Sequence, residues 1–234
     1  MATMIETLRG VPYFANLDEA RLRGLAASVR ARTCDTGTMV LLEGEPCEGL
    51  GFVVSGRVKV VKLSADGKEQ VLRLLGPGRT FNDVPVFDGG PNPSSVQAVA
   101  PSVIGLLPKA AVQSLVDTQP KVAAAVIRVL ASRLRALTVV IEDLALRGVV
   151  ARVAKLLLDC ARGHPALLEG PGGTCQHRLT QQEIAAMTGS VREVVQRALK
   201  SLERDGAIRM ERARVVVLDP MVLERWSESG AGRP

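Results

Sequence analysis

The sequence predicts an α+β protein with a β-rich N-terminal domain, a long helix and a mostly helical C-terminal domain. Three observations carry this prediction. Short apolar runs broken by glycine and proline fill residues 35–107, an apolar repeat follows from Pro120 to about Leu146, and two helix-start signatures lie ten residues apart near residue 180. With 234 residues, of which 47% are hydrophobic, the chain can bury two cores. We place the domains at residues 1–108, 109–148 and 149–234.

Neither a membrane span nor a secretory signal is predicted. No apolar run approaches the roughly 18 residues that a span requires, and the first ten residues include Glu6 and lack an apolar core. We therefore expect a cytoplasmic protein with no membrane partner. Its four cysteines, at positions 34, 47, 160 and 175, form no C-x-x-C pair, so we expect reduced structural thiols and no metal site.

Composition alone says little about function. The net charge of +6 suits a polyanionic partner, but many basic proteins bind no nucleic acid, so a DNA-binding function must rest on a motif. The sequence contains no G-x-S-x-G, H-E-x-x-H or P-loop motif. We therefore predict that the protein is not an enzyme and that it has no catalytic residues.

The first domain is predicted to be an antiparallel sandwich or barrel of about eight strands. Glycine and proline stand between its apolar runs where tight turns would lie. The runs are Thr38–Leu42, Leu50–Val54, Val58–Leu63, Gln70–Leu75, Val96–Ala100 and Val103–Leu107. Before them, Leu17, Leu22 and Leu25 have helical spacing, which predicts a short helix packed on the strands.

The long helix carries apolar residues at alternating steps of three and four, as in a coiled-coil seam. The seam residues are Ile127, Leu130, Leu134, Leu137, Ile141 and Leu144. A core helix lying on the β domain is the alternative. However, Val126, Val129, Val139 and Val140 form a second apolar flank, so one face could cover the β domain while the other meets a twin helix. We predict a parallel homodimer.

The C-terminal domain contains a predicted helix-turn-helix. Thr180 and Glu183 form a capping box that starts one helix, Gly189 ends it, and Ser190 with Glu193 forms a second capping box. Residues 209–218 alternate as a β-hairpin wing, and a loop or turn is predicted from His164 to Gln176.

The polar face of the second helix has the chemistry of a major-groove reader. Arginine can donate two hydrogen bonds to guanine, and glutamate can accept one from cytosine. Arg192, Glu193 and Arg197 lie near the helix start, the end that enters the groove in this motif. The alternative is a solvated face held by ion pairs such as Glu193 with Arg197.

At this point the sequence resembles the CRP/FNR family of bacterial transcription regulators. The stretch LTQQEIAAMTGSVREVVQRALKSLERDGAI is similar to the winged helix-turn-helix of that family, and GTMVLLEGEPCEGLGFVVSGRVKVV to the start of its cyclic-nucleotide-binding-type jelly roll. The resemblance implies a dimerisation helix over the seam, double-stranded DNA and RNA polymerase as partners, and TGTGA-like half-sites, because R-E-x-x-x-R stands at 192–197. It further implies phosphate contacts from Thr180, Gln182, Ser190 and Lys200.

The resemblance also locates an effector pocket, and there the sequence departs from the family members that bind cyclic AMP. Their phosphate-binding cassette has a Gly-Glu pair and an Arg-Ser pair, where this chain has Asn82-Asp83 and Asn92-Pro93. The hydroxyl pair that holds adenine becomes Leu137-Thr138. Because a buried phosphodiester needs a cationic partner, these changes argue against cyclic AMP bound as in those relatives.

Three interpretations of the sensor domain remain. A different effector could bind near the pocket candidates, which are Arg73, Asn82, Asp83, Asn92, Arg133, Leu137 and Thr138. Alternatively, Asp83 and Arg133 could form a structural salt bridge beside an empty apolar cavity, or a cyclic nucleotide could be held in a modified way. A jelly roll of this type can also regulate an enzyme or a channel, but such a subunit has no use for the helix-turn-helix.

No cofactor is predicted with certainty. An iron–sulfur cluster of the FNR type needs four thiolates, usually with several clustered near the N-terminus, whereas two cysteines fall in each half of this chain. The two histidines, His164 and His177, lie in the C-terminal half, so a haem in the β domain would need another axial ligand. Neither group is expected. Cys34 and Cys47 are interpreted as structural, with redox sensing as the open alternative.

Overall fold

The computed structural model describes residues 3–162, 168–169, 179–211 and 214–228. Backbone contacts divide them into two compact units. The first unit contains the residues up to 62, residues 72–134 and residue 169. The second unit contains residues 63–71, 135–162 and 168 and the described residues from 179 onward. The domain limits at 108 and 148 stay a prediction.

The β-rich domain predicted from the sequence is confirmed. Its strands are β1 (Arg30–Cys34), β2 (Met39–Leu41), β3 (Gly49–Ser55), β4 (Val58–Leu63), β5 (Glu69–Leu75), β6 (Thr80–Phe81), β7 (Ser95–Ala98) and β8 (Ser102–Pro108). They form two sheets with strand orders β1-β8-β3-β6 and β2-β7-β4-β5-β9, where β9 is Leu168–Glu169. The helices around them are α1 (Met4–Gly10), α2 (Glu19–Ser28), α3 (Asp83–Asp88) and α4 (Lys109–Thr118).

Two apolar clusters hold the first unit together. Side chains of the strands, Val53, Leu75, Phe81 and Ile104 among them, form one cluster. The other joins the N-terminal segment to β3, β8, α4 and the start of the next helix, and its members include Tyr13, Phe14, Leu50, Leu107 and Val126. This second cluster brings the N-terminal segment close to the elements that carry the effector pocket candidates.

The long helix α5 spans Pro120–Leu146, as the apolar repeat predicts. Its first turns pack on the core of the first unit through Val122 and Val126, which are buried, and through Val129 and Leu130, which are partly buried. Most of the seam remains on the surface of the single chain. The exposed fractions are 67% for Ile127, 64% for Leu134, 42% for Leu137, 64% for Ile141 and 41% for Leu144.

The second unit contains the predicted winged helix-turn-helix. Its elements are α6 (Val149–Ala161), α7 (Gln181–Thr188), α8 (Arg192–Arg204), β10 (Ile208–Glu211), β11 (Arg214–Val217) and α9 (Pro220–Glu228). The antiparallel pairing of β10 with β11 confirms the wing. The predicted loop from His164 to Gln176 lies outside the described residues except for β9, and so does His177.

The expectation of reduced cysteines is wrong for Cys160. Cys34 and Cys47 are free, whereas Cys160 is disulfide-bonded to a partner outside the described residues. A disulfide joins cysteines that are close in space, so the absence of a C-x-x-C pair does not exclude one.

No helix in the described ranges is both long enough and apolar enough to cross a bilayer.

Candidate DNA-binding face and sensor site

The predicted capping box at the start of α7 is present. The Glu183 backbone N–H donates to the Thr180 hydroxyl at 3.2 Å, and the Thr180 backbone N–H donates to the Glu183 carboxylate at 2.7 Å. These two bonds satisfy backbone donors that a helix start leaves without partners. They fix the point at which α7 begins.

The second predicted capping box is wrong. Gly189 has a left-handed φ of +63°, and the backbone N–H of Ser190 donates to the carbonyl of Ala185 at 2.9 Å, which closes the end of α7. The extended residue before α8 is Val191, one position later than predicted, and no side chain caps this helix. Ser190 therefore completes the preceding helix instead of starting the next one.

The exposed face of α8 carries the three residues that are predicted to contact bases. Arg192, Glu193 and Arg197 are exposed, and Val195 and Leu199 are buried on the opposite side. Within the described residues no ion pair or hydrogen bond engages the side chain of Arg192, Glu193 or Arg197, so the alternative of an ion-paired face is not what the structure contains. Their hydrogen-bonding groups are available to a ligand.

The four residues that are predicted to contact phosphates differ in exposure. Thr180 and Gln182 are exposed at the start of α7, and Lys200 is exposed on α8. Ser190 is only 9% exposed in the turn between the two helices. Contacts of all four with DNA stay a prediction.

The sensor candidates converge on a buried carboxylate. Asp83, the first residue of α3, is 4% exposed and pairs with Arg133 of α5 at 2.5 Å between Oδ2 and Nη1. The Tyr13 hydroxyl donates to Asp83 Oδ1 at 2.6 Å, and the Thr80 hydroxyl donates to the same atom at 2.7 Å. The ion pair between Asp83 and Arg133, one of the three interpretations left open by the sequence, is therefore formed.

Arg133 connects the other members of this cluster. Its Nη2 donates to the hydroxyl of Thr80 at 2.8 Å and to the carbonyl of Thr80 at 3.1 Å, and its Nη1 lies 3.3 Å from the Tyr13 hydroxyl. Arg73 donates to the same carbonyl at 3.0 Å. Burial, and next the charge of Asp83, raise the pKa of Tyr13, so its phenol stays protonated and remains a donor.

The remaining pocket candidates lie outside this network. Asn82 adopts a left-handed conformation with φ of +61°, and its side chain donates to the carbonyl of Gly49 at 3.3 Å. Asn92 is buried and donates to the carbonyl of Leu42 at 3.1 Å. Leu137 and Thr138 belong to the second unit and are exposed on α5.

Sequence reasoning missed two members of the network, Tyr13 and Thr80. The signal for Tyr13 was weak but present, since it is the only tyrosine in a chain with 3% aromatic residues. A buried tyrosine hydroxyl normally has a hydrogen-bond partner, so a single tyrosine in an apolar segment indicates a polar group nearby in the fold. The partner lies 70 positions away in the chain, and only the fold reveals it.

Comparison with known proteins identifies the family. A Cyclic nucleotide-binding domain model matches residues 31–119, and a Crp-like helix-turn-helix domain model matches residues 151–226. The CRP-like cAMP-activated global transcriptional regulator of Mycobacterium tuberculosis is 32% identical over 222 residues, which cover 95% of this chain and 99% of that relative. The chain belongs to the CRP/FNR family of transcription regulators. The helix-turn-helix of this CRP/FNR member is thus a DNA-binding element, as the sequence predicts.

Two further CRP/FNR proteins show the spread of the similarity. The Cyclic AMP receptor protein of Thermus thermophilus is 29% identical over 93% of this chain and 97% of its own length. The structure of the c-di-GMP responsive global regulator CLP of Xanthomonas campestris has a TM-score of 0.74 at 26% identity, covering 86% of this chain and all of that chain. These two relatives are named for different cyclic nucleotides, cyclic AMP and c-di-GMP.

The turn of the helix-turn-helix generates a stability prediction. A Cβ at Gly189 would lie 2.7 Å from Leu144 Cδ2 and 2.8 Å from Gln70 Oε1, whereas a Cβ at Gly206, whose φ is +75°, meets nothing within 4 Å. We expect Gly206→Ala to lose only the roughly 1–2 kcal/mol of left-handed strain. Gly189→Ala should lose clearly more in urea unfolding, because its neighbours must also move. Equal losses would contradict the close packing around Gly189.

Proposed function

We propose that this protein is a homodimeric, sequence-specific regulator that reads palindromic TGTGA-like half-sites, and that the effector of its sensor domain is not cyclic AMP. The observation that carries the proposal is the start of α8, where Arg192, Glu193 and Arg197 are exposed and have no partner among the described side chains. These two arginines and the glutamate can form hydrogen bonds with the edges of guanine and cytosine bases in a major groove. Such a regulator acts by binding DNA and not by catalysis.

Base recognition is assigned to the first turns of α8. Arg192 and Arg197 would each donate to O6 and N7 of a guanine, and Glu193 would accept from N4 of a cytosine on the opposite strand. The buried face, with Val195 and Leu199, seats the helix on its own domain and leaves the polar face outward. Thr180, Gln182, Ser190 and Lys200 would contact phosphates, which position the helix without reading sequence.

Dimerisation is supported by the exposed seam of α5. Aliphatic side chains exposed along several turns of one helix are unusual in a monomer and mark an interaction surface. The three-four spacing of the seam is that of helices that pair along their length. A second copy is the occupant with the matching pattern, and a two-fold dimer would present two copies of α8 to DNA one helical turn apart.

The proposal that cyclic AMP is not the effector rests on the residues of the sensor pocket. Asp83 already accepts from Tyr13 and Thr80 and pairs with Arg133, and Asn92-Pro93 stands where the relatives place the phosphate-binding Arg-Ser pair. Cyclic AMP or another cyclic nucleotide held in a modified pocket is the second candidate. It is favoured by Arg73 and Arg133, which both donate to the Thr80 carbonyl, and by the cAMP-activated relative at 32% identity.

The remaining partners follow from regulation of transcription. A protein that changes transcription from a bound site acts on RNA polymerase, and a regulator of the genome of a bacterium works in its cytoplasm. We therefore propose RNA polymerase as a partner and the cytoplasm as the location.

The first prediction concerns the dimer. Replacing both Leu134 and Leu137 by glutamate should give monomers in analytical ultracentrifugation, because charges would face charges along the seam. Leu63→Glu is the control, since Leu63 is also an exposed aliphatic residue, at 52%, but lies on β4. Retention of the dimer by the double variant would exclude the seam as the interface.

The second prediction concerns base reading. In a selection from random DNA at fixed salt, the parent should enrich a palindrome with TGTGA-like halves. Arg197→Ala should lose preference at one base pair per half-site, at about 1–3 kcal/mol for each lost bidentate contact. Lys200→Ala should keep the parental motif and weaken all sequences alike, with a smaller salt dependence. A parental motif that survives Arg197→Ala unchanged would contradict base reading by α8.

The third prediction concerns cyclic AMP. Adding it at micromolar concentration should leave the affinity for the selected DNA unchanged, because the cassette lacks the arginine that would neutralise the phosphate. Fluorescence anisotropy with labelled DNA measures the affinity, and calorimetry measures nucleotide binding. Tight binding of cyclic AMP coupled to stronger DNA binding would instead favour the modified-pocket alternative.

A further inference from the structure

The carboxylate of the sensor pocket is engaged by a side chain from the far N-terminal segment. Tyr13 follows α1, is 1% exposed, and packs edge-on against Phe14 with ring centroids 6.1 Å apart. Its hydroxyl reaches Asp83 Oδ1 at 2.6 Å and lies 3.3 Å from Arg133 Nη1. One phenol therefore contacts both members of the ion pair that joins α3 to α5.

We propose that Tyr13 acts as an internal ligand of the sensor domain, so that DNA binding requires no diffusible effector. The proposal rests on the DNA-binding function given above and identifies the effector as a part of the chain. A small-molecule effector could act here only by giving Asp83 a donor and Arg133 an acceptor. The Tyr13 hydroxyl does both, and it does so in every folded molecule.

The hydrogen-bond count at the site supports this assignment. Asp83 Oδ1 accepts from two hydroxyl groups, and Oδ2 is held by Arg133. Arg133 in turn donates from Nη2 to both oxygen atoms of Thr80. A second ligand at the Asp83 carboxylate or at the terminal nitrogens of Arg133 would have to break bonds among atoms that are already buried and paired, and leaving any of these atoms without a partner is costly.

The network also acts on the helix that carries the seam. Arg133 immediately precedes Leu134, so the contacts with Asp83, Tyr13 and Thr80 fix the rotation of this turn of α5 on the first unit. The rotation of α5 decides which residues face a twin helix. By this route Tyr13 would fix which face of this turn of α5 a second copy meets, and through the dimer it would affect DNA binding.

The first experiment removes any bound small molecule and then removes the hydroxyl. Protein that has been unfolded in guanidinium, dialysed and refolded should bind the selected DNA as tightly as before. Tyr13→Phe should bind about tenfold more weakly, since a hydrogen bond to a charged group is lost. Thr7→Val is the matched control and should bind as the parent does. Thr7 is also a buried N-terminal hydroxyl, but among the described residues it bonds only to the carbonyl of Thr3, the cap of its own helix, at 3.2 Å.

The second experiment separates a ligand-like role from a merely structural one. Tyr13→Ala leaves space for an aromatic ring, and cavities of this kind bind small aromatic molecules. We expect phenol to restore DNA affinity to this variant, and toluene at the same concentration, which fills the space without a hydroxyl, to restore none. If Tyr13→Ala does not fold, Tyr13→Phe measured far below its melting temperature still tests the hydroxyl.

The outcomes distinguish a failure of the internal-ligand proposal from a failure of the proposed DNA-binding function. Refolded parent that binds DNA only after a cell extract is restored, or Tyr13→Phe with parental affinity, would overturn the internal ligand while leaving the DNA-binding function intact. Equal rescue by toluene and phenol would reduce Tyr13 to a packing residue and overturn it too. A parent that enriches no palindrome in any form would overturn the proposed function itself.

Discussion

The buried pair of Asp83 and Arg133 is the contact on which the first unit depends. A carboxylate that is 4% exposed is stable only when it is paired and hydrogen-bonded, and removing one partner of such a pair typically costs about 3–5 kcal/mol. The two residues lie on α3 and α5, and the hydroxyl groups of Tyr13 and Thr80 complete the shell around the carboxylate. Three separate parts of the chain, around residues 13, 80–83 and 133, are thereby held at one point, and this fixes the position of the first turns of α5 on the β domain.

Fixing one face of α5 determines what the opposite face can do. Val122 and Val126 enter the core beside Tyr13 and Phe14, and of the seam residues only Leu130 also packs against this core. Within the described part of the chain, Ile127, Leu134 and Ile141 remain about two-thirds exposed, and an apolar surface of this kind is typical of an interaction site. Near residue 126, one apolar face of α5 is therefore packed on the core and the other is exposed, as the sequence predicts. Val139 and Val140, by contrast, belong to the second unit.

Local and periodic features were predictable from the sequence, and long-range polar contacts were not. The bounds of α5 followed from its apolar repeat, and the start of α7 followed from Thr180 and Glu183. The second capping box failed because Ser190 has one backbone N–H, which the end of α7 uses, and a short pattern cannot say which of two helices will claim it. Tyr13 was missed because 70 residues separate it from its partner. Sequence reasoning did anticipate the pairing of Asp83 with Arg133, and this required the family resemblance.

The sensor pocket and the exposed face of α8 differ in how many of their hydrogen-bonding groups are available to a ligand. In the sensor pocket the two terminal nitrogens of Arg133 and both oxygen atoms of Asp83 have partners within the chain, so a ligand that bound these atoms would gain only the difference between new bonds and broken ones. On α8 the side chains of Arg192, Glu193 and Arg197 have no such partners among the described residues, so contacts with base edges would replace water alone. A chain arranged in this way keeps its available hydrogen-bonding groups on the DNA-binding face and uses the charged groups of the sensor pocket to hold its own fold. If Tyr13 is the internal ligand of the sensor domain, this domain would hold the first turns of α5 in one geometry in every molecule, and control of the regulatory output would pass to the amount of protein and the sequence of the DNA site.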